Sequence, residues 1–283
     1  MAADTRRTPI NVGALRSEII GSGGPWRQLD VVVETGSTNA DLLAWSAAGH
    51  DIDGSVLLAE YQKAGRGRQG RSWSAPPRSQ IAMSVGVGVS DVPPDVWGWL
   101  PLMTGVAVVD AVREMCDIVP GLKWPNDVLV ESRKLAGILA EVASPQPVIV
   151  VGLGLNVTLT DEDVPVPEAT SLLMLGAPVI DRNLLAGKIL NTLGARIEGW
   201  RSTSGPDSSL IAAYRRHSLT LSTKVRVSLP GDRQVVGTAR AIDELGRLLI
   251  DTHDGPLTVS AGDVTHLRPV RGQRSSARDI TTR

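Results

Sequence analysis

The sequence predicts an α+β main unit followed by a small all-β unit. Between residues 29 and 218, runs with strand character alternate with segments that have helical length and spacing. After Leu219 the character changes to short strand-like runs separated by turn signals, which is typical of a small barrel. We therefore expect an N-terminal segment at 1–28, a main domain at 29–218, a second domain at 219–270 and a flexible tail at 271–283.

The elements of the first half follow from hydrophobic spacing. An amphipathic stretch at 12–20 predicts one short helix before the main domain, and Ser37 or Thr38 can cap a second helix that ends before Gly49. The segment 97–115 has the length and spacing of a third helix. Strands are expected at 29–34, 55–62 and 80–89.

The second half contains three strand-like runs with short separators, at 127–132, 134–143 and 147–157. Short connections favour antiparallel neighbours, so the sheet should be mixed and largely antiparallel. Two helices follow at 181–200 and 208–218, the first with Asp181 near its start. The β unit should hold strands within 224–230, 233–243, 247–255 and 256–263.

Composition excludes several classes of protein. The 29 basic and 30 acidic residues give a net charge of −1, so there is no global field to hold nucleic acid. A single cysteine, Cys116, excludes an intrachain disulfide and a multi-cysteine zinc site, and the four histidines show no metal-ligand spacing. We found neither a signal peptide nor an apolar run long enough to span a membrane, so we expect a cytoplasmic protein without membrane or DNA contacts.

The segment GRGRQGRSW at 65–73 concentrates three glycines and three arginines in nine residues. Two readings are open: a mobile surface loop, or a loop that folds over an anion with backbone N–H groups and planar guanidinium groups. The segment lacks the Walker pattern. It is also a poor dinucleotide fingerprint, because a strand rather than a helix follows it.

Four further segments can carry chemistry, and each also has a purely structural reading. TGSTN (35–39) offers three polar side chains where helix capping needs one. KWPND (123–127) is good turn chemistry, but its amide, acid and base can also serve a triphosphate or an amine. KLAGIL (134–139) and GLGLNV (152–157) place glycines within strands, which indicates either tight packing or the approach of something flat.

Together these five segments resemble the biotin–protein ligase family, in its order and approximate spacing, and the resemblance is strongest to mycobacterial members without an N-terminal DNA-binding domain. The resemblance spans about residues 33–270. It implies a class II aminoacyl-tRNA-synthetase-like catalytic domain and an SH3-like C-terminal barrel. It also implies a two-step reaction, in which biotin and MgATP give biotinyl-5′-AMP and a lysine of a carrier domain then displaces AMP.

The resemblance also implies the site residues. Biotin is expected at Ser37, Thr38, Asn39, Gln62, Arg66, Gly67, Arg68, Lys134, Gly137, Leu139, Gly152 and Gly154. ATP and the adenylate are expected at Arg66, Arg68, Arg71, Trp73, Lys123, Asn126, Lys134 and Asn156. Lys134, Arg68, Asp127 and Lys123 are the expected catalytic residues, with Arg68 pairing with Asp127 when the loop closes. Mg²⁺ should be held mainly by the ATP phosphates, so no protein metal site is expected.

The expected partner is the biotin carboxyl carrier domain of acyl-CoA carboxylases, and the expected state is a monomer or weak dimer. Two rival functions remain open at this point. A lipoate–protein ligase shares the fold and the adenylation logic, and a biotin sensor could bind biotin without turning over ATP.

Overall fold

The computed structural model describes residues 6–21, 23–178, 181–229, 233–260 and 263–266. The predicted tail at 271–283 lies outside these residues. The helices are α1 (Val12–Gly21), α2 (Thr38–Ala47), α3 (Trp99–Cys116), α4 (Arg182–Ser202) and α5 (Ser208–His217). All five coincide with predicted helices, because each has a continuous apolar stripe and, for α4, an N-cap. The Asp181 carboxylate accepts from the N–H groups of Asn183 and Leu184.

Seven strands form the main sheet, in the order β1-β2-β5-β9-β8-β7-β6. Only β1 and β2 run parallel, so the expected mixed, largely antiparallel sheet is confirmed. Its strands are β1 (Gln28–Val32), β2 (Ser55–Ala59), β5 (Gln80–Gly88), β6 (Gly121–Lys123), β7 (Asp127–Val130), β8 (Arg133–Val142) and β9 (Val148–Asn156). The sequence did not predict β6, because three residues are too few for a periodic pattern.

The sheet separates two apolar layers. On one face α3 and α4 pack with α1 and α5, and this layer continues into the C-terminal strands. On the other face α2 covers a smaller cluster that includes Leu42, Leu57 and Val150. Because strand side chains alternate between faces, the residues on the α2 side of β5, β8 and β9 share a surface with the start of α2.

The segment Pro94–Cys116, which contains α3, is long and apolar enough to cross a membrane. However, 67% of its apolar window is buried inside the protein, against the sheet and α4. A buried helix of this composition is what a core between a sheet and a helical layer requires. We therefore interpret α3 as the central core helix.

The C-terminal region forms a five-stranded antiparallel sheet in the order β13-β12-β11-β10-β14. Its strands are β10 (Lys224–Ser228), β11 (Gln234–Ile242), β12 (Leu248–Thr252), β13 (Gly255–Val259) and β14 (Asp263–His266). The all-β character is confirmed, whereas closure into an SH3-like barrel and the domain boundaries stay predictions. The sequence did not predict β14, whose four residues merge with a polar stretch.

Candidate active site

A cavity of about 290 Å³ lies on the α2 side of the sheet, between the start of α2, the 65–73 segment and the 123–127 segment. All the site residues predicted from the sequence line this cavity, with the exception of Asn156. Motifs that are far apart in the chain therefore meet at one place.

Small residues form the floor of the cavity. Across β5, β9 and β8 the register aligns Ala82 with Gly154 and Gly154 with Gly137, and in the next row it aligns Ser84 with Gly152. A row of small side chains on one face leaves open space above the sheet, where large residues would fill it. The glycine-rich strands thus make room for the groups above them.

One end of the cavity is polar and uncharged. The amide oxygen of Gln62 accepts from the backbone N–H of Thr38 at 2.8 Å and lies 3.1 Å from its hydroxyl oxygen. Thr38 Oγ1 lies 2.6 Å from Ser84 Oγ, which donates to Asn39 Oδ1 at 2.6 Å. These side chains are buried, so the network fixes their orientation. Ser37, beside them, is the N-cap residue of α2 but makes no side-chain capping bond, so its hydroxyl does not satisfy that helix end.

Ser84 belongs to this network and the charged Glu141 borders it outside the cavity lining, and neither residue was predicted from the sequence. Asn39 Nδ2 donates to Glu141 Oε2 at 2.9 Å, and the same carboxylate oxygen pairs with Arg66. Neither residue belongs to a recognisable motif, because each lies within a strand and is brought to the site only by sheet register. The acidic side chain of Glu141 compensates the charge of Arg66 in this structure.

The 65–73 segment folds back over the cavity as a small hairpin. Its strands are β3 (Gly65–Arg66) and β4 (Ser72–Trp73), joined by a tight turn at Arg68–Gly70 in which Gln69 is not helical and has a φ of 56°. Gly67 N–H donates to Arg71 O at 2.7 Å, and Gly70 has a φ of 73°, which favours glycine. The hairpin carries Arg66, Arg68 and Arg71 to the cavity wall, as the anion-clamp reading requires.

The indole of Trp73 lies directly over the glycine floor. A Cβ added at Gly154 would lie 2.8 Å from Trp73 Cζ2, and one added at Gly137 would lie 3.1 Å from Cζ3. Trp73 Nε1 donates to Gln80 Oε1 at 2.6 Å, which fixes the ring plane. In this structure the flat group over Gly137 and Gly154 is Trp73, and the expected approach of a flat ligand to these glycines stays a prediction.

Lys134 and Asp127 form an ion pair at the centre of the site. Lys134 Nζ lies 2.6 Å from Asp127 Oδ1, although the approach is not aligned as a hydrogen bond. The same ammonium lies 5.5 Å from the centroid of the Trp73 ring, within the range of a cation–π contact. The expected pairing of Arg68 with Asp127 on loop closure stays a prediction; the cation that lies 2.6 Å from that carboxylate here is Lys134, which reaches it across the β7–β8 ladder.

Arg68 also contacts the neighbouring amide, donating from Nη1 to Asn126 Oδ1 at 3.1 Å. Asn126 is held in place from the other side, since its Nδ2 donates to Ile138 O at 3.0 Å. The 65–73 hairpin and the 123–127 segment are thus directly linked over the cavity. Lys123, at the end of β6, lines the cavity beside them.

Asn156 is the one predicted site residue that the cavity does not include. It is 3% exposed, and its Nδ2 donates to Thr170 O at 2.9 Å. Opposite it in the register stands Gln80, at the buried ends of β5 and β9. In this structure Asn156 anchors the 170–172 backbone, and its expected contact with the adenylate stays a prediction.

The C-terminal sheet also contributes to the cavity, through Val264 and Thr265 of β14. Next to them, burial and the positive charge of Lys123 hold the pKa of His266 below its usual range. This contribution could not be predicted from the sequence, because β14 has no motif of its own.

The charges at the cavity wall are mainly positive. Five basic side chains line the cavity: Arg66, Arg68, Arg71, Lys123 and Lys134. Among its described lining residues the acidic side chain is that of Asp127. Such a surface favours ligands with several negative charges. Within the described residues no group of three or more histidine, cysteine or acidic side chains could hold a metal ion. A single carboxylate fits Mg²⁺ that arrives with its own phosphate ligands better than an all-protein metal site.

Comparison with known proteins gives concordant matches. The family model described as "Biotin/lipoate A/B protein ligase family" matches residues 39–156. The model described as "Biotin protein ligase C terminal domain" matches residues 224–267. The chain is 56% identical over 268 residues to the biotin--[acetyl-CoA-carboxylase] ligase of Mycobacterium tuberculosis, covering 94% of this chain and 98% of that one. It is 30% identical to the bifunctional ligase/repressor BirA of Escherichia coli, covering 82% of this chain and 71% of BirA.

The chain also superimposes on solved structures of biotin protein ligases. The biotin protein ligase of Aquifex aeolicus in complex with biotin and ATP superimposes with a TM-score of 0.74 at 26% identity, covering 86% of this chain and all of that one. The biotin protein ligase of Leishmania major in complex with biotinyl-5-AMP gives a TM-score of 0.58 at 25% identity.

Proposed function

The chain belongs to the biotin–protein ligase family, and we propose that it activates biotin with MgATP and transfers the biotinyl group to a lysine of a carboxylase carrier domain. One observation carries the proposal. A single cavity joins an uncharged polar end, suited to a ureido ring, to a cationic wall, suited to a carboxylate and phosphates.

The first step joins two anions. An oxygen of the biotin carboxylate attacks the α-phosphorus of ATP, and the bond to the pyrophosphate oxygen breaks. Repulsion between the reactants must be offset by fixed positive charge, and Lys134 and the loop arginines stand at the cavity wall where that charge is needed. Mg²⁺ bound to ATP would supply further charge neutralisation. Asp127 and Asn126, which line the cavity, would offer it side-chain oxygen ligands.

The second step needs no protein nucleophile. The ε-amine of the acceptor lysine attacks the acyl carbon of the mixed anhydride, the bond to the phosphate oxygen breaks, AMP leaves, and the amine nitrogen releases a proton to solvent. Asp127, whose carboxylate lies 2.6 Å from Lys134 Nζ, is suited to orient the amine. The hairpin at 65–73 covers the cavity, which limits attack by water on the intermediate.

The choice of substrate separates this proposal from its rival. The family that matches residues 39–156 includes lipoate ligases as well as biotin ligases. Pyrophosphate release should therefore be measured with biotin and with lipoate in parallel, followed by mass spectrometry of an apo carrier domain. Biotin-dependent release and a single biotinylated lysine support the proposal. A preference for lipoate would identify the protein as a lipoate–protein ligase instead. Biotin binding without ATP turnover would identify it as a biotin sensor.

The proposal also covers the protein's partner, cellular location and oligomeric state. We infer that the partner is the biotin carboxyl carrier domain of acyl-CoA carboxylases, that the protein acts in the cytoplasm as a monomer or weak dimer, and that DNA binding is not part of its function. The name of the Mycobacterium tuberculosis relative supports the choice of partner. Sedimentation with and without the carrier domain tests the oligomeric state.

A further inference from the structure

The 123–127 segment of the active site is held from behind by the C-terminal region. Trp124, which is 1% exposed, makes two hydrogen bonds to residues outside the catalytic core. Its backbone N–H donates to Thr220 Oγ1 at 3.0 Å, and its Nε1 donates to Gly246 O at 3.0 Å. Both partners fall within the predicted C-terminal unit at 219–270, so one residue of the site is anchored twice to that unit.

The first anchor continues into β14. Thr220 is fully buried, and its Oγ1 lies 3.1 Å from His266 Nε2. Since Oγ1 already accepts from Trp124, its own proton is available for the histidine ring. The lowered pKa of His266 favours the neutral imidazole near pH 7, and in its Nδ1–H tautomer the ring accepts this proton at Nε2. The chain of bonds therefore runs from the active-site segment to the strand that carries Val264 and Thr265.

The second anchor is the turn between β11 and β12. Gly246 has a φ of 79°, and a Cβ there would lie 3.2 Å from Leu102 Cδ1 and from the carbonyl of Gly98. A second indole binds the same turn, because Trp99 Nε1 donates to Glu244 O at 2.8 Å. The turn is thus docked on the first residues of α3 and presents the Gly246 carbonyl to Trp124.

We propose that the C-terminal unit positions the 123–127 segment for catalysis, with Trp124 and Thr220 as positioning residues. The proposal rests on the proposed function, since it assigns Lys123, Asn126 and Asp127 to ATP and the acceptor amine. Lys123 and Asn126 lie within two residues of Trp124 along the chain. A displacement of that backbone therefore moves both side chains at the cavity wall, although Thr220 itself does not line the cavity.

The test uses three substitutions outside the cavity in the full-length protein. Thr220→Val removes the hydroxyl but keeps the shape, and Thr220→Ser keeps the hydroxyl. Trp99→Phe is the matched control, because it removes an indole bond to the same turn without touching the 123–127 segment. We expect Thr220→Val to lower kcat/KM for ATP in biotin-dependent pyrophosphate exchange by about tenfold, as losing one buried hydrogen bond can. Thr220→Ser should restore most of the activity, and Trp99→Phe should stay within about twofold of wild type.

A second readout does not depend on activity. Hydrogen exchange of the peptide covering 121–130 should be faster in Thr220→Val than in wild type, and unchanged in Trp99→Phe. If Thr220→Val fails to fold, Trp124→Phe, which replaces the indole with a smaller phenyl ring and removes the Nε1 donor, takes its place. Equal effects of Thr220→Val and Trp99→Phe on both readouts would overturn the inference, because the C-terminal unit would then contribute only stability. A different outcome would count against the proposed function. In that outcome the wild-type protein shows no ATP–pyrophosphate exchange, although hydrogen exchange of 121–130 is still faster in Thr220→Val than in wild type.

Discussion

Gly152 and Gly154 are two residues apart on β9, yet they lie beneath different parts of the cavity. A Cβ at Gly154 would lie 2.8 Å from Trp73 Cζ2 and closer still to two other ring atoms. A Cβ at Gly152 would lie 2.9 Å from Asn39 Cγ and closer to its Oδ1. Ordinary contact begins at 3.4 Å, so alanine at either position must displace its neighbour by more than half an ångström.

The two alanine substitutions should therefore separate the two substrates. Gly154→Ala displaces the indole and strains its bond to Gln80, and overpacking of this kind costs about 1–3 kcal/mol. Gly154 is among the residues expected at biotin, but the neighbour that it meets here is Trp73, which is expected at ATP. We therefore expect kcat/KM for ATP to fall about tenfold or more, and KM for biotin to change by a smaller factor. Gly152→Ala disturbs the Asn39–Ser84 network, and should raise KM for biotin about tenfold with little change for ATP.

The assay is steady-state pyrophosphate release with each substrate varied in turn, and the decisive control is a double-mutant cycle. In a Trp73→Ala background the atoms that the new Cβ meets are absent, so Gly154→Ala should cost less than about twofold. An undiminished cost in that background would refute the reasoning, since the effect would then come from the sheet itself. Parallel losses for both substrates in both variants would also refute it.

Three further predictions follow from charged groups. Lys134→Ala should lower adenylate formation about 100-fold or more by removing the ammonium beside Asp127, whereas Lys188→Ala, in an exposed pair with Glu114, should leave turnover unchanged; near-wild-type kinetics for the first would remove Lys134 from the site. Arg182→Met leaves Glu60 buried without its partner, and should lower the free energy of unfolding in urea by about 3–5 kcal/mol; a loss below about 1 kcal/mol would contradict this. Burial opposes ionisation of Asp110, but hydrogen bonds from His217 and Arg196 outweigh it and hold its pKa below the usual range. Its stabilisation is therefore present above the unfolded-state pKa of about 3.9 and is lost as pH falls through the lower folded value. Asp110→Asn should weaken the acid dependence of unfolding, and an identical pH profile would exclude this role.

Much of the site could be predicted because its motifs sit where regular elements end. TGSTN precedes α2, GRGRQGRSW follows β2, and KWPND joins β6 to β7. Strand ends and helix starts place backbone and side chains at the edges of the sheet, where a ligand can reach them. Turn and capping signals marked these segments, and the family resemblance then assigned their residues to the site.

What the sequence could not provide was the register across the sheet. Ser84 stands opposite Gly152, and this pairing alone brings its hydroxyl to Asn39. Asn156 stands opposite Gln80 at a buried strand end, which turns its amide toward the 170 backbone. Which residues face one another on neighbouring strands depends on long-range pairing, and no local pattern encodes it.

Charge pairing was similarly underdetermined. Asp127 could attract any of several nearby cations, and the sequence favoured Arg68. A register shift between Val128 and Leu129 places Lys134 opposite Leu129, so that its side chain reaches the Asp127 carboxylate. The flat group above Gly137 and Gly154 was expected to be a ligand, but in this structure Trp73 fills that space, because the hairpin folds back over the sheet.

The most direct test of the central claim is biotin-dependent ATP–pyrophosphate exchange by the purified wild-type protein, in parallel with Lys134→Ala. We expect exchange that requires biotin and is not supported by lipoate. We also expect Lys134→Ala to lose this exchange while it folds like the wild-type protein. Folded wild-type protein that binds biotin but gives no exchange, or a Lys134→Ala variant that exchanges at the wild-type rate, would contradict it.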